Sequence, residues 1–141
     1  MHNWKNKHVL ITGSKGFLGR NLIKRLKEKE PKIITQVHHS EYDLSQEKDV
    51  QKVFEKNKPD IVIHLAGLVG GILVNQQRPA EFFYQNIMMG TLMHHYSWKN
   101  NVEKFIAPGA GCGYPKNAPL PLKETSFWDG YPQEESAPYS L

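Results

Sequence analysis

Cysteine is almost absent from this sequence. Cys112 is the only one in 141 residues, so no internal disulfide can form, and a reducing cytoplasm is the expected location. Long hydrophobic runs are missing as well. No apolar stretch approaches the ~18 residues needed to cross a bilayer, and Met1-His2-Asn3-Trp4-Lys5 lacks the apolar core of a signal peptide, so no membrane partner is expected. No pair of histidines has the i, i+4 spacing with a glutamate that zinc hydrolysis needs, so no metal is expected. Internal repeats and low-complexity tracts are also lacking. Nor is charge of one sign concentrated anywhere. The formal charge is +4 and the pI about 9.1, a balance that could favour anions. The basic residues nevertheless interleave with glutamates, as in Lys24-Arg25-Leu26-Lys27-Glu28-Lys29-Glu30, which is the pattern of a solvated helix face. Nucleic acid is therefore not an expected partner. With 39% hydrophobic and 23% charged residues, the chain has the makings of one soluble domain and not of a disordered segment.

What is present is an alternation of strand and helix patterns. His8-Val9-Leu10-Ile11-Thr12 reads as a buried strand followed at once by glycine. Leu18, Leu22 and Leu26 recur every four residues with Arg20, Lys24 and Lys27 facing away, an amphipathic helix ended by Pro31. Ile33 to Val37 is a second strand, and Ser45 is the expected N-cap of a helix carrying Val50, Val53 and Phe54 inward. Ile61-Val62-Ile63-His64-Leu65 is the strongest strand, and Pro79 opens a long helix. That helix has two apolar stripes, through Phe83, Ile87 and Thr91 and through Met88, Leu92 and Tyr96. One suits a sheet and the other a second subunit. Lys104-Phe105-Ile106-Ala107 is a further strand, and residues 108–138 read as loop. The alternation predicts an α/β fold, a Rossmann-type doubly wound parallel sheet covered on both faces, over residues 1–141.

The chemistry begins at Thr12-Gly13-Ser14-Lys15-Gly16-Phe17-Leu18-Gly19, a Gly-x-x-Gly-x-x-Gly run joining the first strand to the first helix. One glycine allows the tight turn, one lets backbone N–H groups approach a pyrophosphate, and one lets helix and strand pack closely. The helix N-terminus adds a partial positive charge. Strand before and helix after are the context that this motif requires. An NAD site places Asp or Glu after the second strand to hold the ribose 2′-OH. This chain has Val37-His38-His39-Ser40 there, and Lys15 inside the glycine loop can meet a 2′-phosphate. NADP(H) is thus expected over NAD(H).

Beyond the loop, the sequence resembles the extended short-chain dehydrogenases/reductases, the NAD-dependent epimerase/dehydratases. Within these it is most similar to the GDP-4-keto-6-deoxymannose epimerase/reductases, the GDP-L-fucose synthases. The resemblance rests on the glycine loop, Asp43-Leu44, Leu65-Ala66-Gly67, Val69-Gly70-Gly71-Ile72, Pro79-Ala80-Glu81-Phe82 leading to Asn86, Cys112-Gly113-Tyr114-Pro115-Lys116, and Tyr139. It implies that residues 13–19, His39, Asp43, Leu44, Leu65, Ala66, Gly67, Val69 and Asn86 bind the cofactor, with the Asp43 carboxylate accepting from the adenine amino group. It further implies that Tyr139 belongs to a Tyr-x-x-x-Lys motif and donates the proton in keto reduction, and that Cys112 is an acid/base in epimerisation. A 4-keto group acidifies the protons on carbons 3 and 5, so a positioned thiol with a partner base can invert those centres. The substrate so implied is a GDP-linked 4-keto-6-deoxy sugar, and the implied assembly is a homodimer through the long helix after Pro79 and a second helix starting near Tyr139. His64, His94 and His95 fall on strand or helix patterns and are expected to be structural.

Two departures from the family pattern stand out. Ala110 occupies the position where a Ser or Thr hydroxyl would hydrogen-bond the substrate ketone. Loss of one such donor costs ~10²–10³ in rate at comparable sites. The chain also stops at Leu141, two residues short of the motif's lysine, ahead of the histidine that partners the cysteine and of the GDP-sugar domain. The expectation is therefore a truncated dinucleotide-binding part, catalytically inactive and self-associating on its own. A 4-epimerase or 4-reductase of the same superfamily, or a non-catalytic NADP-binding module, are the rival readings.

Overall fold

The structure, a computed structural model, describes residues 4–140. The readings of Met1-His2-Asn3 and of the chain's last residue, Leu141, lie outside these. The chain divides into two compact units, each described by itself.

The first unit comprises the residues up to Gly67 together with Ile87–Pro108. It holds β1 (His8–Thr12), α1 (Phe17–Lys27), β2 (Ile33–Val37), α2 (Glu47–Asn57), β3 (Ile61–His64), the C-terminal part of a long helix and β4 (Lys104–Ile106). All strand pairs are parallel, in the order β2-β1-β3-β4, with His8 opposite Ile33 and Thr12 opposite His64. Alternate residues of each strand point to opposite faces, and the core divides accordingly. Val9, Ile11, Ile61 and Ile63 join Leu26 of α1 on one face. Leu10, Val37 and Val62 join Val50, Val53 and Phe54 of α2 and Leu92, Met93 and Tyr96 of the long helix on the other. Helices on both faces of a parallel sheet make this the doubly wound fold that the alternation predicts. From β1 the chain crosses to one side to form β2, and from β3 to the other side to form β4. The C-terminal ends of β1 and β3 thus mark the topological switch point, where such sheets bind ligands.

Two local expectations change. Ser45 does not cap α2. The helix begins at Glu47 with extended Gln46 at the N-cap, and Ser45 instead donates both its N–H (3.0 Å) and its hydroxyl (2.7 Å) to Asp43 Oδ1. The reach-back to the turn comes from Asp49, whose carboxylate accepts the Asp43 N–H at 3.2 Å. That backbone bond, with Lys52 beside it, holds the Asp49 carboxyl below the usual range. The other change concerns residues that read as loop. Ile72–Gln77 form a short helix, α3, ahead of the long helix α4 (Pro79–Lys99). The helix expected from near Tyr139 starts two residues earlier, as α5 (Ala137–Ser140).

The second unit comprises Leu68–Asn86 and the chain from Gly109 onward. It contains α3, the start of α4, 3-10 turns at Gly111–Gly113 and Glu124–Ser126, and α5. Its small core includes Phe82, 1% exposed, while neighbouring Phe83 is 44% exposed. On α4 the stripe of Leu92 and Tyr96 is buried in the sheet's core, as expected of the sheet-facing stripe, and Ile87 is exposed. No described helix is long and apolar enough to cross a membrane.

Candidate functional site

In the first unit the glycine loop closes at the switch point. Gly13 sits at φ +66°, in the left-handed region that glycine enters without steric cost. A Cβ there would stand 2.6 Å from the Leu65 carbonyl carbon and 2.7 Å from the Ala66 nitrogen. One at Gly19 would stand 2.4 Å from the Gly13 oxygen and 2.7 Å from Ser14 Cα. Both glycines are therefore demanded by backbone contact, one between β1 and the end of β3, the other between loop and helix. Gly16 N–H closes the turn on the Gly13 oxygen at 3.0 Å, and Gly16 then serves as the N-cap of α1 with no side-chain cap. A helix start without a capping side chain offers its first N–H groups to an anion. Lys15, Phe17 and Leu18 stand exposed around that start, whereas Ser14 is buried with its hydroxyl 3.4 Å from His38 Nδ1.

The floor of this cradle is the end of β3. Leu65 and Ala66 are half-buried and Gly67 exposed. Thr12 Oγ1 accepts the N–H of Leu65 at 3.1 Å and of Ala66 at 3.0 Å, and lies 2.8 Å from His64 Nδ1. Burial pushes the His64 imidazole down to about 4 from its ordinary 6.5, so it is neutral near pH 7. After β2, His38 is half-buried and His39 exposed, with no carboxylate before Glu41. Asp43 is half-buried and its orientation is set by Ser45, while Leu44 is packed into the core.

The second unit carries the expected acid–base residues. Cys112 is exposed on the 3-10 turn Gly111–Gly113. Tyr139 is half-buried on α5, its N–H bonded to the Ser136 oxygen at 3.0 Å. The turn and α5 pack together: a Cβ at Gly113 would lie 3.4 Å from the Ser140 oxygen and 3.1 Å from the Phe127 ring. Ala110 precedes the turn in extended conformation and brings no hydroxyl. Asn86 spends both polar atoms on one backbone residue, its Oδ1 accepting the Leu68 N–H at 2.8 Å and its Nδ2 donating to the Leu68 oxygen at 3.0 Å. Beside that loop, buried Asn75 donates to the Gly70 and Gly71 oxygens, each at 3.1 Å. Val69, between the two clamps, is 68% exposed.

A cradle of this shape at a doubly wound switch point has its counterpart among known families. The model of the NAD dependent epimerase/dehydratase family matches residues 9–141. This chain belongs to that family. It is 35% identical over 130 residues to a GDP-L-fucose synthase of Sinorhizobium fredii, an alignment covering 92% of this chain and 41% of that protein. Among solved structures, a GDP-D-glycero-L-gluco-heptose synthase from Campylobacter jejuni, determined in the presence of NADPH, superposes with a TM-score of 0.92 at 32% identity. It covers 99% of this chain and 41% of that one. A GDP-mannoheptose C4 reductase from the same organism with NADP bound gives 0.90 at 31% identity, covering 99% and 44%. The chain thus spans about two-fifths of the length of the curated relatives that it matches.

The glycines of the cradle are legible in sequence and its polar supports are not. Thr12 with His64, and Asn75 in the loop after β3, are the residues that sequence reasoning did not single out for the site. The available signal was slight: a hydroxyl one residue before the first glycine, and a histidine ending an otherwise apolar strand.

Proposed function

We propose that this chain is the NADP(H)-binding part of a nucleotide-sugar epimerase/reductase of the GDP-L-fucose synthase kind. The reaction proposed for the whole protein is 3,5-epimerisation and 4-keto reduction of a GDP-linked 4-keto-6-deoxy sugar, with GDP-4-keto-6-deoxymannose as the substrate. The observation that carries the reading is the cradle, where Gly13 and Gly19 leave no room for a Cβ and the start of α1 has no capping side chain. Residues 13–19 would hold the pyrophosphate through backbone N–H groups. Asp43 and Leu44 would line the adenine, and Leu65, Ala66, Gly67 and Val69 the remainder, with Asn86 fixing the loop that starts at Leu68. Lys15 and exposed His39, with no acid ahead of Glu41, favour a 2′-phosphate over a free hydroxyl. The NADP(H) in the two Campylobacter structures supports the same choice.

When bound, NADPH supplies a hydride to the ketone. Tyr139 would donate a proton to the ketone oxygen, and the Cys112 thiol would exchange protons at the carbons flanking the ketone, for which its exposed position leaves it accessible. Ala110 favours a second reading, in which the protein performs one half-reaction only, because the ketone lacks the hydroxyl that usually polarises it. One of the similar solved structures is described as a C4 reductase. Exposed Ile87 and Trp98 on α4 support assembly as a homodimer through that helix, and a single exposed thiol suits a cytoplasmic protein.

Fluorescence titration with NADPH and NADH in the same salt tests the cofactor reading. Saturable binding with NADPH preferred is expected. Equal affinities would remove the role given to Lys15 and His39, and no binding to either would remove the cofactor reading altogether.

A further inference from the structure

Thr12 and His64 are register partners at the C-terminal ends of β1 and β3, and both are buried, at 0% and 6% exposure. Their hydrogen bonds favour one arrangement. A hydroxyl has a single proton and two lone pairs. Thr12 Oγ1 accepts the Ala66 N–H at 3.0 Å and shares the Leu65 N–H, at 3.1 Å, with the Thr12 carbonyl oxygen at 3.3 Å. Its own proton must then point at His64 Nδ1, 2.8 Å away, so that nitrogen carries no proton. The imidazole is neutral, with its hydrogen on Nε2. Its ring is held further by stacking on Phe105 of β4, with centroids 6.2 Å apart and planes at 28°. What the clamp secures is the contact between the Leu65–Ala66 backbone and Gly13, where no Cβ would fit.

We infer that His64 is a positioning residue for the dinucleotide cradle: by accepting the Thr12 hydroxyl proton at Nδ1, it fixes Thr12 Oγ1 as the acceptor that holds Leu65 and Ala66 against Gly13. The inference deepens the NADP(H) reading and rests on it for the ligand. It assigns work to a histidine that touches neither cofactor nor substrate in the proposal. Removing the acceptor frees the hydroxyl proton to seek another oxygen, and turning the O–H about Cβ–Oγ swings a lone pair away from at least one of the two N–H groups. A histidine that merely filled space would be replaced without loss by an apolar side chain of similar size.

The test is made on the 141-residue chain, by imidazole ¹⁵N NMR and by NADPH titration of His64→Leu, His64→Asn and Thr12→Val. The expected spectrum at pH 7 shows neutral His64 protonated at Nε2. His64→Leu and Thr12→Val should each weaken NADPH binding by about tenfold or more, the size of one lost buried hydrogen bond. Their combination should be no worse than either single change by more than about threefold. His64→Asn, whose Oδ1 can stand where Nδ1 stands, should retain affinity within about threefold of the unaltered chain. A proton on Nδ1, or a His64→Leu protein that folds and binds NADPH as tightly as the unaltered chain, overturns the inference. Should His64→Leu not fold, His64→Asn and the spectrum decide: an asparagine variant as weak as Thr12→Val counts against it. A chain that binds no NADPH at all would refute the cofactor reading, and the Nδ1 or Nε2 assignment would still refute or uphold the clamp.

Discussion

At Gly13 an added Cβ would stand 2.6 Å from the Leu65 carbonyl carbon and at Gly19 2.4 Å from the Gly13 oxygen; at Gly109 and Gly111 it would meet nothing within 4 Å. Both segments look alike in sequence, short glycine-rich stretches that follow a strand. The first is glycine-rich because three backbone segments converge there and a positive φ is required. The second has open space around its glycines, and what holds it in place is the packing of Gly113 against Phe127 and Ser140. Between these extremes lies Gly70, whose Cβ would press at 2.9 Å on the ring of buried Phe82. Counting glycines cannot tell these cases apart; the nearest atom can.

The largest effect that would break the comparison comes from alanine in each loop. Gly13→Ala should destabilise the chain by about 2–5 kcal/mol, the left-handed penalty plus overpacking, and Gly19→Ala by about 1–3 kcal/mol through overpacking alone, and both should abolish NADPH binding. Gly109→Ala and Gly111→Ala should stay within about 0.5 kcal/mol of the unaltered chain. Urea denaturation midpoints measure both, and a Gly13→Ala protein with an unchanged midpoint would remove the distinction.

Acid sharpens the comparison next, because the support of the first loop titrates. Folded His64 holds off protonation until about pH 4, whereas the unfolded chain takes up that proton near the ordinary 6.5. Between these values the unfolded state binds more protons, so stability is complete above about pH 6.5 and falls as the pH drops towards 4. The loss amounts to at most roughly 3 kcal/mol. His8, also lowered by burial, adds in the same direction. Melting temperature against pH should show this slope, and His64→Asn should flatten most of it. An unaltered slope in that variant would mean that other groups carry the acid sensitivity.

The smallest effect is expected at Gly70. Gly70→Ala must displace the Phe82 ring, at a cost of about 1–3 kcal/mol, while leaving Gly13 and its contacts intact. Thermal unfolding should register the cost with little change in NADPH affinity. A loss of affinity as large as that of Gly19→Ala would show that the loop after β3 matters to the cofactor as much as the phosphate loop does.

Most of the first unit was legible in sequence because its signals are local. The apolar strands β1 and β3, the four-residue leucine spacing of α1 and the glycines between them each declare their element within a dozen residues. Ser45 misled because a serine shortly before an apolar helix face is a good N-cap in isolation; Asp43, two residues earlier, competes for its hydroxyl and wins. Residues Ile72–Gln77 read as loop because the two glycines ahead of them mask a helix only six residues long. Its start is organised by Asn75 reaching back to the Gly70 and Gly71 oxygens. Phe83, placed on an apolar stripe of α4, is the more exposed member of its pair, and Phe82 takes the buried place.

By itself the sequence determined the alternation of strands and helices, the position of the glycine loop and the motifs that set this chain in its family, since each depends on neighbours along the chain. Only the tertiary structure decided which glycines are indispensable and that Thr12 and His64, 52 residues apart, form one hydrogen-bonded clamp. It likewise decided that Asn86 spends its amide on the Leu68 backbone. Those outcomes depend on which atoms the parallel pairing of β1 with β3 and the packing of the loops bring within about 3 Å of each other, a distance that no local pattern encodes.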